Sequence, residues 1–562
     1  MKNNTKIKKT ANLFASGVLI LTIANLIVKV IGVMLKIPLS NELLNEGMGY
    51  YNSAYEVYVW LYMVSTAGIP VAIAMMVSES KAKGNFREIK KIYKISLITF
   101  ATVGFVFMAA LMISSGWLAD KVYKLEGLEW GLIAIAPTLF FICISCAIRG
   151  YFQGYQYMTP TAISEVIESL GKLIIGLALG KFAMKSFDGV EKAVGKTVIE
   201  MKYPYAAAFT ILGLTIGVAL SLVYLFLKKA RFKEELYNAE FVNPESDTME
   251  VRGTAKILTG LIVVAIPVTL SSSVMSFTTM LDSIIISNKL QGIGLNQTAV
   301  AETIGYYKTQ VITFFNLPPV LIYPISGSLV PYLSALIVGK DKEKIHNIMN
   351  SALRVASLIA LPCALGMSVL SEPIIKLIFA SKLVDQTNSP QLLSIQALSV
   401  FFVAMLAMTT SILQAHKLER KPIISMLAGA CVKITASWFL IGNKHIQMYG
   451  APISTFLSYL TIVLFNFYFV AKHVKYIPDF KKVFVRPLLA SVVCAGSAIG
   501  SYYIAGLFVP KDKIVTLIAI GVAALVYIVS IFIIRALNKE DFELIPKGEK
   551  LYKICSKLKL VK

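Results

Sequence analysis

RGYFQGYQYMTPTAISEVIESLGKL, residues 149–173, ends in a run that sets Glu165, Glu168 and Lys172 among residues otherwise apolar enough to cross a bilayer. How this stretch is read decides the fold. As a membrane helix over 160–183 it carries the three charges at i, i+3 and i+7, on one face. Hydrocarbon cannot solvate that face, so it must turn toward water, a partner helix or a charged ligand.

The rest of the chain supports the membrane reading. Of 562 residues, 56% are hydrophobic and 15% charged, with a mean hydropathy of +0.69. A soluble chain carries about 25% charged residues. Apolar runs of about 18 residues or more recur throughout, each long enough for about 30 Å of hydrocarbon. They are too long and too evenly apolar for the alternating strands of a membrane barrel. The run after Lys9 is too long for a cleavable signal, and no small-residue cleavage site comes after it, so it reads as the first membrane helix.

The expected fold is an all-α polytopic membrane protein of fourteen transmembrane helices: 11–33, 48–78, 92–115, 128–150, 160–183, 204–227, 255–287, 304–337, 352–372, 392–415, 422–442, 451–471, 485–507 and 514–536. Alternate loops then sort the basic residues. Loops 79–94, 228–256 and 472–486 and the tail after 536 are Lys/Arg-rich and fall on the side that holds both termini. The net charge of +23 is therefore a topology signal, with both termini cytoplasmic, and not a nucleic-acid surface.

Other chemistries find little support. Cys143 and Cys146 have CxxC spacing but lie in an apolar span without a second pair or a histidine, so they read as packing residues and no metal site is identified. No GxxxxGK[ST] loop and no GxSxG elbow occurs, which argues against ATP hydrolysis within this chain.

Internal order suggests two copies of one unit. SKAKGNFREIKKIYKISLITFATVGF (80–105) and VGKDKEKIHNIMNSALRVASLIALPCALGM (338–367) each give a small basic turn, an amphipathic run and a helix. Spans five and eleven begin at Pro160 and Pro422 and carry Lys172 and Lys433 at similar depth. The expected domains are a first lobe 1–227, a cytoplasmic linker 228–253, a second lobe 254–475, an appended helix pair within 476–540 and a basic tail 541–562. Six spans per lobe make the repeat parallel, with its pseudo-two-fold axis along the membrane normal.

Charges inside spans are the candidate site residues: Lys29, Glu56, Glu165, Glu168, Lys172, Asp282, Lys308 and Lys433. Each also has a structural reading. Glu168 and Lys172 suit an i,i+4 pair. Lys29 can snorkel to a span end. Arg149 suits a headgroup anchor, Asp282 and Lys308 suit an external interface, and Tyr50, Tyr51, Tyr55, Tyr58 and Trp60 suit an aromatic belt with core packing. Lysines on several spans favour an anionic substrate such as a phosphate or pyrophosphate. A site for organic cations would be dominated by carboxylates and aromatics.

NEGMGYYNSAYEVYVWLYMVSTAGIPVAIAMMVSE (45–79), RGYFQG and then PTAISEVIE (149–168), and YYKTQVITFFNLPPVLIYPISGSLVPYLS (306–334) resemble the MurJ and stage V sporulation protein B group of the MOP exporter superfamily. The resemblance covers essentially the whole chain. It implies two six-helix lobes in a V, a cationic central cavity, and a lipid groove made with the appended pair. It also implies flipping of undecaprenyl-pyrophosphate-linked peptidoglycan precursor, lipid II, to the outer leaflet by alternating access. By the same resemblance Lys29 and Lys308 stand where the family has arginines, and Lys36 lies close to a further basic position. Lysine keeps the charge and loses bidentate phosphate binding.

The implied cavity then comprises Lys29, Lys36, Lys172, Lys308 and Lys433, with Glu56, Glu165, Glu168 and Asp282 as cavity or coupling carboxylates. The expected setting is a monomer in the bacterial plasma membrane, with lipid II and membrane lipids as partners and no nucleic acid. No cofactor is expected beyond a coupling ion, Na+ or H+, or the membrane potential. Two alternatives stand: a drug/cation antiporter of the multidrug and toxin extrusion (MATE) branch, and a flippase for another polyprenyl-linked polysaccharide unit. A membrane enzyme would need clustered loop carboxylates; the acids of 228–253 (Glu234, Glu235, Glu240, Glu245, Asp247, Glu250) are scattered.

Overall fold

A computed structural model describes residues 2–194, 199–232, 250–339, 341–538 and 540–541. The linker acids from Glu234 to Asp247 and the tail after Asp541 lie outside the described residues. Every described element is helical: α1 (Lys2–Thr66), α2 (Ile69–Ala82), α3 (Phe86–Trp117), α4 (Leu128–Gly154), α5 (Thr159–Val194), α6 (Ile199–Ala230), α7 (Thr254–Gly292), α8 (Gln297–Tyr306), α9 (Leu317–Val338), α10 (Lys342–Val369), α11 (Ser371–Ile378), α12 (Ser389–Ala415), α13 (Arg420–Ile441), α14 (Gly450–Phe469), α15 (Arg486–Phe508) and α16 (Asp512–Ile533), with a few single turns between them.

Eleven helices among the described residues are long and apolar enough to span a membrane, so this is a multi-pass membrane protein. The expected number was fourteen, and the difference has three sources. The 63-residue stretch Ile20–Ala82 counts once, although about 95 Å of helix at 1.5 Å per residue far exceeds one bilayer. The long helices α5 and α7 are not among the eleven; α5 carries the charged face, and of α7 only Thr254–Ile266 is recognised as a shorter apolar helix.

Contacts divide the chain into two units, Met1–Asn288 with Asn296–Gly305, and Lys289–Leu295 with Tyr306–Lys562. The body of α7 and most of α8 thus belong to the first unit, a different partition from the sequence lobes that divide at 228–253.

In the first unit, α1 kinks at Leu44, where φ is 56°. The expected continuous span 48–78 breaks between Thr66 and Ile69, because Gly68 and Pro70 interrupt the helical ladder. There α7 crosses closely: Gly68 N–H donates to Thr269 Oγ1 (3.2 Å), and a Cβ on Gly68 would lie 2.2 Å from Ala265 O. The pairing of α5 with α6 is equally tight. A Cβ on Gly171 would meet Gly217 Cα at 2.4 Å, and one on Gly213 would meet Gly176 N at 2.2 Å. Small residues permit this backbone approach where lipid supplies no hydrophobic drive.

At the end of α2, Asn85 caps α3 by accepting from Glu88 N–H (3.1 Å), and Glu88 sits at the third position, as in a capping box. The same Glu88 receives Arg252 as the chain returns from the linker. Arg252 N–H and Nε donate to Glu88 (3.0 and 2.8 Å), and Arg252 Nη1 reaches Glu79 (3.2 Å). Lys91 Nζ donates to Arg252 O (2.8 Å), closing a clasp at the start of α7.

In the second unit, α9, α10 and α12 share a core that includes Leu329, Leu353, Ala356, Val400 and Met408. Asp341 caps α10, accepting from Lys344 N–H (3.0 Å). The pair α15–α16 packs through small residues, Cys494, Ala498, Ala519 and Ala523, with Leu370 from the end of α10. Arg354 on α10 is ion-paired with Asp541 (2.6 Å), at 4% and 0% side-chain exposure.

Candidate functional site

The charged face of α5 meets an arginine from α4. Arg149 lies one turn inside α4, which continues to Gly154, and is 4% exposed. Its Nε donates to Ser164 Oγ (2.9 Å), and its Nη2 to Glu168 Oε2 (3.2 Å) and to Ser221 Oγ on α6 (3.4 Å). The headgroup-anchor reading of Arg149 is therefore corrected. An arginine with a carboxylate and two hydroxyls converging on its fork is held inward by them.

The expected Glu168–Lys172 pair is corrected too: no ion pair joins them among the described residues. Lys172 Nζ instead lies 3.9 Å from the centroid of the Tyr55 ring and 5.8 Å from that of Tyr51. These tyrosines begin a ladder along α1, Tyr51, Tyr55, Tyr58 and Tyr62, with successive centroids 6.0, 5.8 and 5.8 Å apart. Tyr50, Tyr51 and Tyr58 are buried, and Trp60 packs on Phe277 of α7 (5.2 Å), so this set is a packed wall more than an interfacial belt. Cation–π contact with phenol rings lets a lysine sit inside a unit without a carboxylate. Glu165 keeps one carboxylate oxygen, Oε2, buried with no hydrogen-bond partner among the described residues.

A second polar site joins α1 to α7. Ser283 Oγ donates to Glu56 Oε2, and Asp282, the neighbouring residue, is 3% exposed. One turn on, Ser287 Oγ donates to Tyr123 O, and Asn288 Nδ2 donates to Val122 O (2.5 Å). Lys29 is exposed and Lys36 half-buried on α1.

In the second unit, Lys308 lies in a π-helical turn, Tyr307–Val311, between α8 and α9. It is 4% exposed and Asp282 is 3% exposed, so both side chains are enclosed by protein. Wide turns of this kind recur at functional sites. Tyr307 donates its hydroxyl proton to Gln396 Oε1 (3.2 Å), and Gln310 Nε2 donates to Leu383 O (3.2 Å), fixing the turn. Lys433 is half-buried on α13. No group of three or more metal-ligating side chains is present among the described residues.

Partners missed at the sequence level include Ser164 and Ser221 beside Arg149, Tyr55 beside Lys172, Ser283 beside Glu56, and Arg252 at the clasp. The only signal for the last was the Asn85–Glu88 capping box.

Residues 14–337 match the family described as polysaccharide biosynthesis protein. Stage V sporulation protein B of Bacillus subtilis (strain 168) is 24% identical over 542 residues, 95% of this chain and 98% of that protein. Lipid II flippase MurJ of the same organism is 22% identical over 530 residues, 91% of this chain and 94% of that protein. Among solved structures, lipid II flippase MurJ in an inward closed conformation superposes with a TM-score of 0.67 at 15% identity, covering 92% of this chain and 98% of that one. An inward-facing multidrug resistance MATE family transporter of the MOP superfamily gives a TM-score of 0.57 at 14% identity, covering 79% and 98%. With more than half of its length matched by the family, this chain belongs to the polysaccharide biosynthesis protein family, on a fold it shares with MurJ and with MATE transporters.

Proposed function

We propose that this protein is a flippase for a lipid-linked oligosaccharide, and that its substrate is undecaprenyl-pyrophosphate-linked peptidoglycan precursor, lipid II. The observation that carries the reading is the extent of the sequence likeness. An alignment of 542 residues with stage V sporulation protein B leaves too few residues over to omit the appended pair α15–α16, and the likeness to the MurJ named as a lipid II flippase spans 91% of the chain. The charge chemistry supports it. In this reading Lys29, Lys36, Lys172, Lys308 and Lys433 furnish a cationic cavity for the pyrophosphate, because a doubly charged phosphate is stabilised by several cations in a low-dielectric site. Glu56, Glu165, Glu168 and Asp282 are the carboxylates available for coupling to Na+, H+ or potential. Glu168, already paired with Arg149, serves this role least. The headgroup crosses by alternating access in a bacterial plasma membrane, with both termini cytoplasmic.

The test is leaflet exchange of fluorescent lipid II in proteoliposomes, beside an undecaprenyl-phosphate-linked teichoic precursor, with potential imposed in the presence and absence of sodium. Selective transfer of lipid II is expected, together with its loss in Lys29→Ala and Lys308→Ala proteins that remain folded. Full activity in both variants would overturn the cationic cavity. Transfer of the teichoic precursor alone would reassign the substrate, and transfer of neither lipid would favour cation antiport.

A further inference from the structure

Just past its kink at Leu44, α1 crosses α8 at backbone distance, and residues 45–49 and 301–305 both belong to the first unit. A Cβ on Gly49 would overlap Ala301 O, and one on Gly305 would overlap Asn45 O, so the two segments run antiparallel. Each carries a carboxylate beside a contact residue: Glu46 follows Asn45, and Glu302 follows Ala301. Glu46 is half-buried and Glu302 exposed. The start of α8 has a separate fastening that involves no side-chain charge, in which Glu126 N–H donates to Gln297 Oε1 (3.3 Å).

No cation is paired with Glu46 among the described residues. Lys181 on α5 is taken by Glu42, before the kink (3.8 Å). Lys202 on α6 lies over the Tyr203 ring (6.0 Å), and that ring abuts Gly47. From the turn between α3 and α4, Glu126 and Glu129 share with Glu46 the surroundings of the buried Tyr50 phenol. Glu46 lies between the first two expected spans, 11–33 and 48–78. Burial first, and Glu302 second, push its carboxyl from the ordinary 4.5 up to about 7. These acids do not form a metal cage, since no group of three or more metal-ligating side chains is present among the described residues. A proton is then the species that relieves the crossing of its charge.

We infer that the α1–α8 crossing is a proton-controlled latch, closed when Glu46 carries a proton and loosened when Glu46 is ionised. The neutral acid can stay beside Glu302 in the closed crossing. The carboxylate needs water, and residues 301–305 must leave α1 to admit it. Because the closed crossing raises Glu46 above its ordinary value, Glu46 lends the latch stability that is complete below about pH 4.5 and is lost as pH rises through about 7. One proton is exchanged, so the latch equilibrium changes by at most about tenfold per pH unit. With both termini cytoplasmic, as proposed above, the crossing faces the outside, and external acid closes it. The latch is independent of what the protein transports.

Hydrogen exchange of the full-length protein in nanodiscs, followed from about pH 5.5 to 8.5 and corrected for the intrinsic pH dependence of amide exchange, provides the test. Protection of the amides of residues 45–49 and 301–305 should fall as pH rises through about 7, by no more than about tenfold per unit. The core of α4, residues 139–148, should keep constant protection. Glu46→Gln, which mimics the protonated acid, should hold both segments protected at every pH. Glu302→Gln should keep the pH dependence and move its midpoint down, because it removes one of the two causes that raise Glu46. Protection that is flat in the parent, or a Glu46→Gln protein with the parent's slope, would overturn the latch. If Glu46→Gln does not fold, as read by thermal melting, the Glu302→Gln midpoint decides, and an unmoved midpoint overturns the proposal. Protection restored at pH 8 by Mg2+ would make the acids a metal site and overturn the proton assignment.

Discussion

At the scale of the residue, the chain shows how a charge is kept inside a membrane protein. Arg149 and Glu168 neutralise each other, with two serine hydroxyls accepting from Arg149, whereas Lys172 relies on phenol rings. The two solutions fail differently. Removing one member of a buried pair leaves the other uncompensated and costs about 3–5 kcal/mol, while replacing both by apolar residues is often neutral. Arg149→Met and Glu168→Met should each lower the thermal stability of the detergent-solubilised protein strongly, and Arg149→Met/Glu168→Met should recover most of the loss. A double variant as unstable as the worse single one would show that the pair is not the cause. Lys172→Met should cost less, about 2 kcal/mol or below, since a cation–π contact is what it forfeits. None of this was visible from spacing. The i,i+4 rule pointed Glu168 to Lys172, but the guanidinium 19 residues earlier reaches it from the neighbouring helix.

At the scale of the element, breaks and clasps decide where helices begin and how they are held. The Gly68–Pro70 break lets α7 cross at backbone distance, and the Arg252 clasp pins the start of that same helix to the turn before α3. Glu88, Ser80 and Glu79 all converge on one guanidinium, with Glu88 only 5% exposed. Arg252→Ala should free the segment entering α7. Hydrogen exchange at the amides of residues 85–91 and 252–256 should then rise several-fold at neutral pH, with the core of α4 unchanged. Unchanged exchange at both segments would mean the clasp is dispensable for the fold. Arg252→Lys should restore only part of the protection, because a lysine cannot present the planar fork that reaches Glu88 and Glu79 together.

At the scale of the whole molecule, the segment after α16 is tied back onto the second unit. Asp541 accepts from Arg354 Nε (2.8 Å), and a further contact, Tyr476 hydroxyl to Asn350 Oδ1 (2.8 Å), fastens the turn before α15 to the same helix. The appended pair is thus anchored at both of its chain ends to α10. Asp541→Ala should destabilise the second unit by about 3–5 kcal/mol, because it strands Arg354. Glu372→Ala, which removes one arm of an exposed ion pair, should cost less than about 1 kcal/mol. Unfolding monitored by fluorescence from Trp438, the other tryptophans replaced by phenylalanine, separates the two; equal effects would refute the anchoring role.

What the sequence by itself determined was the solvent and the demand. Its apolar runs require a bilayer, its composition excludes strands and soluble cores, and the spacing of Glu165, Glu168 and Lys172 requires an inward face on α5. The PTAISEVIE and RGYFQG residues sufficed to suggest the family to which the chain belongs. What only the tertiary structure decided was how each demand is met. It assigned Arg149 to Glu168, Lys172 to Tyr55, Glu56 to Ser283 and Arg354 to Asp541, partners between 19 and 227 residues apart or supplied by ring faces that no charge pattern marks. The physical reason is that a desolvated charge needs a partner at hydrogen-bond distance whatever its place in the chain. Sequence spacing reports neighbours on one helix, and packing brings in those from the next.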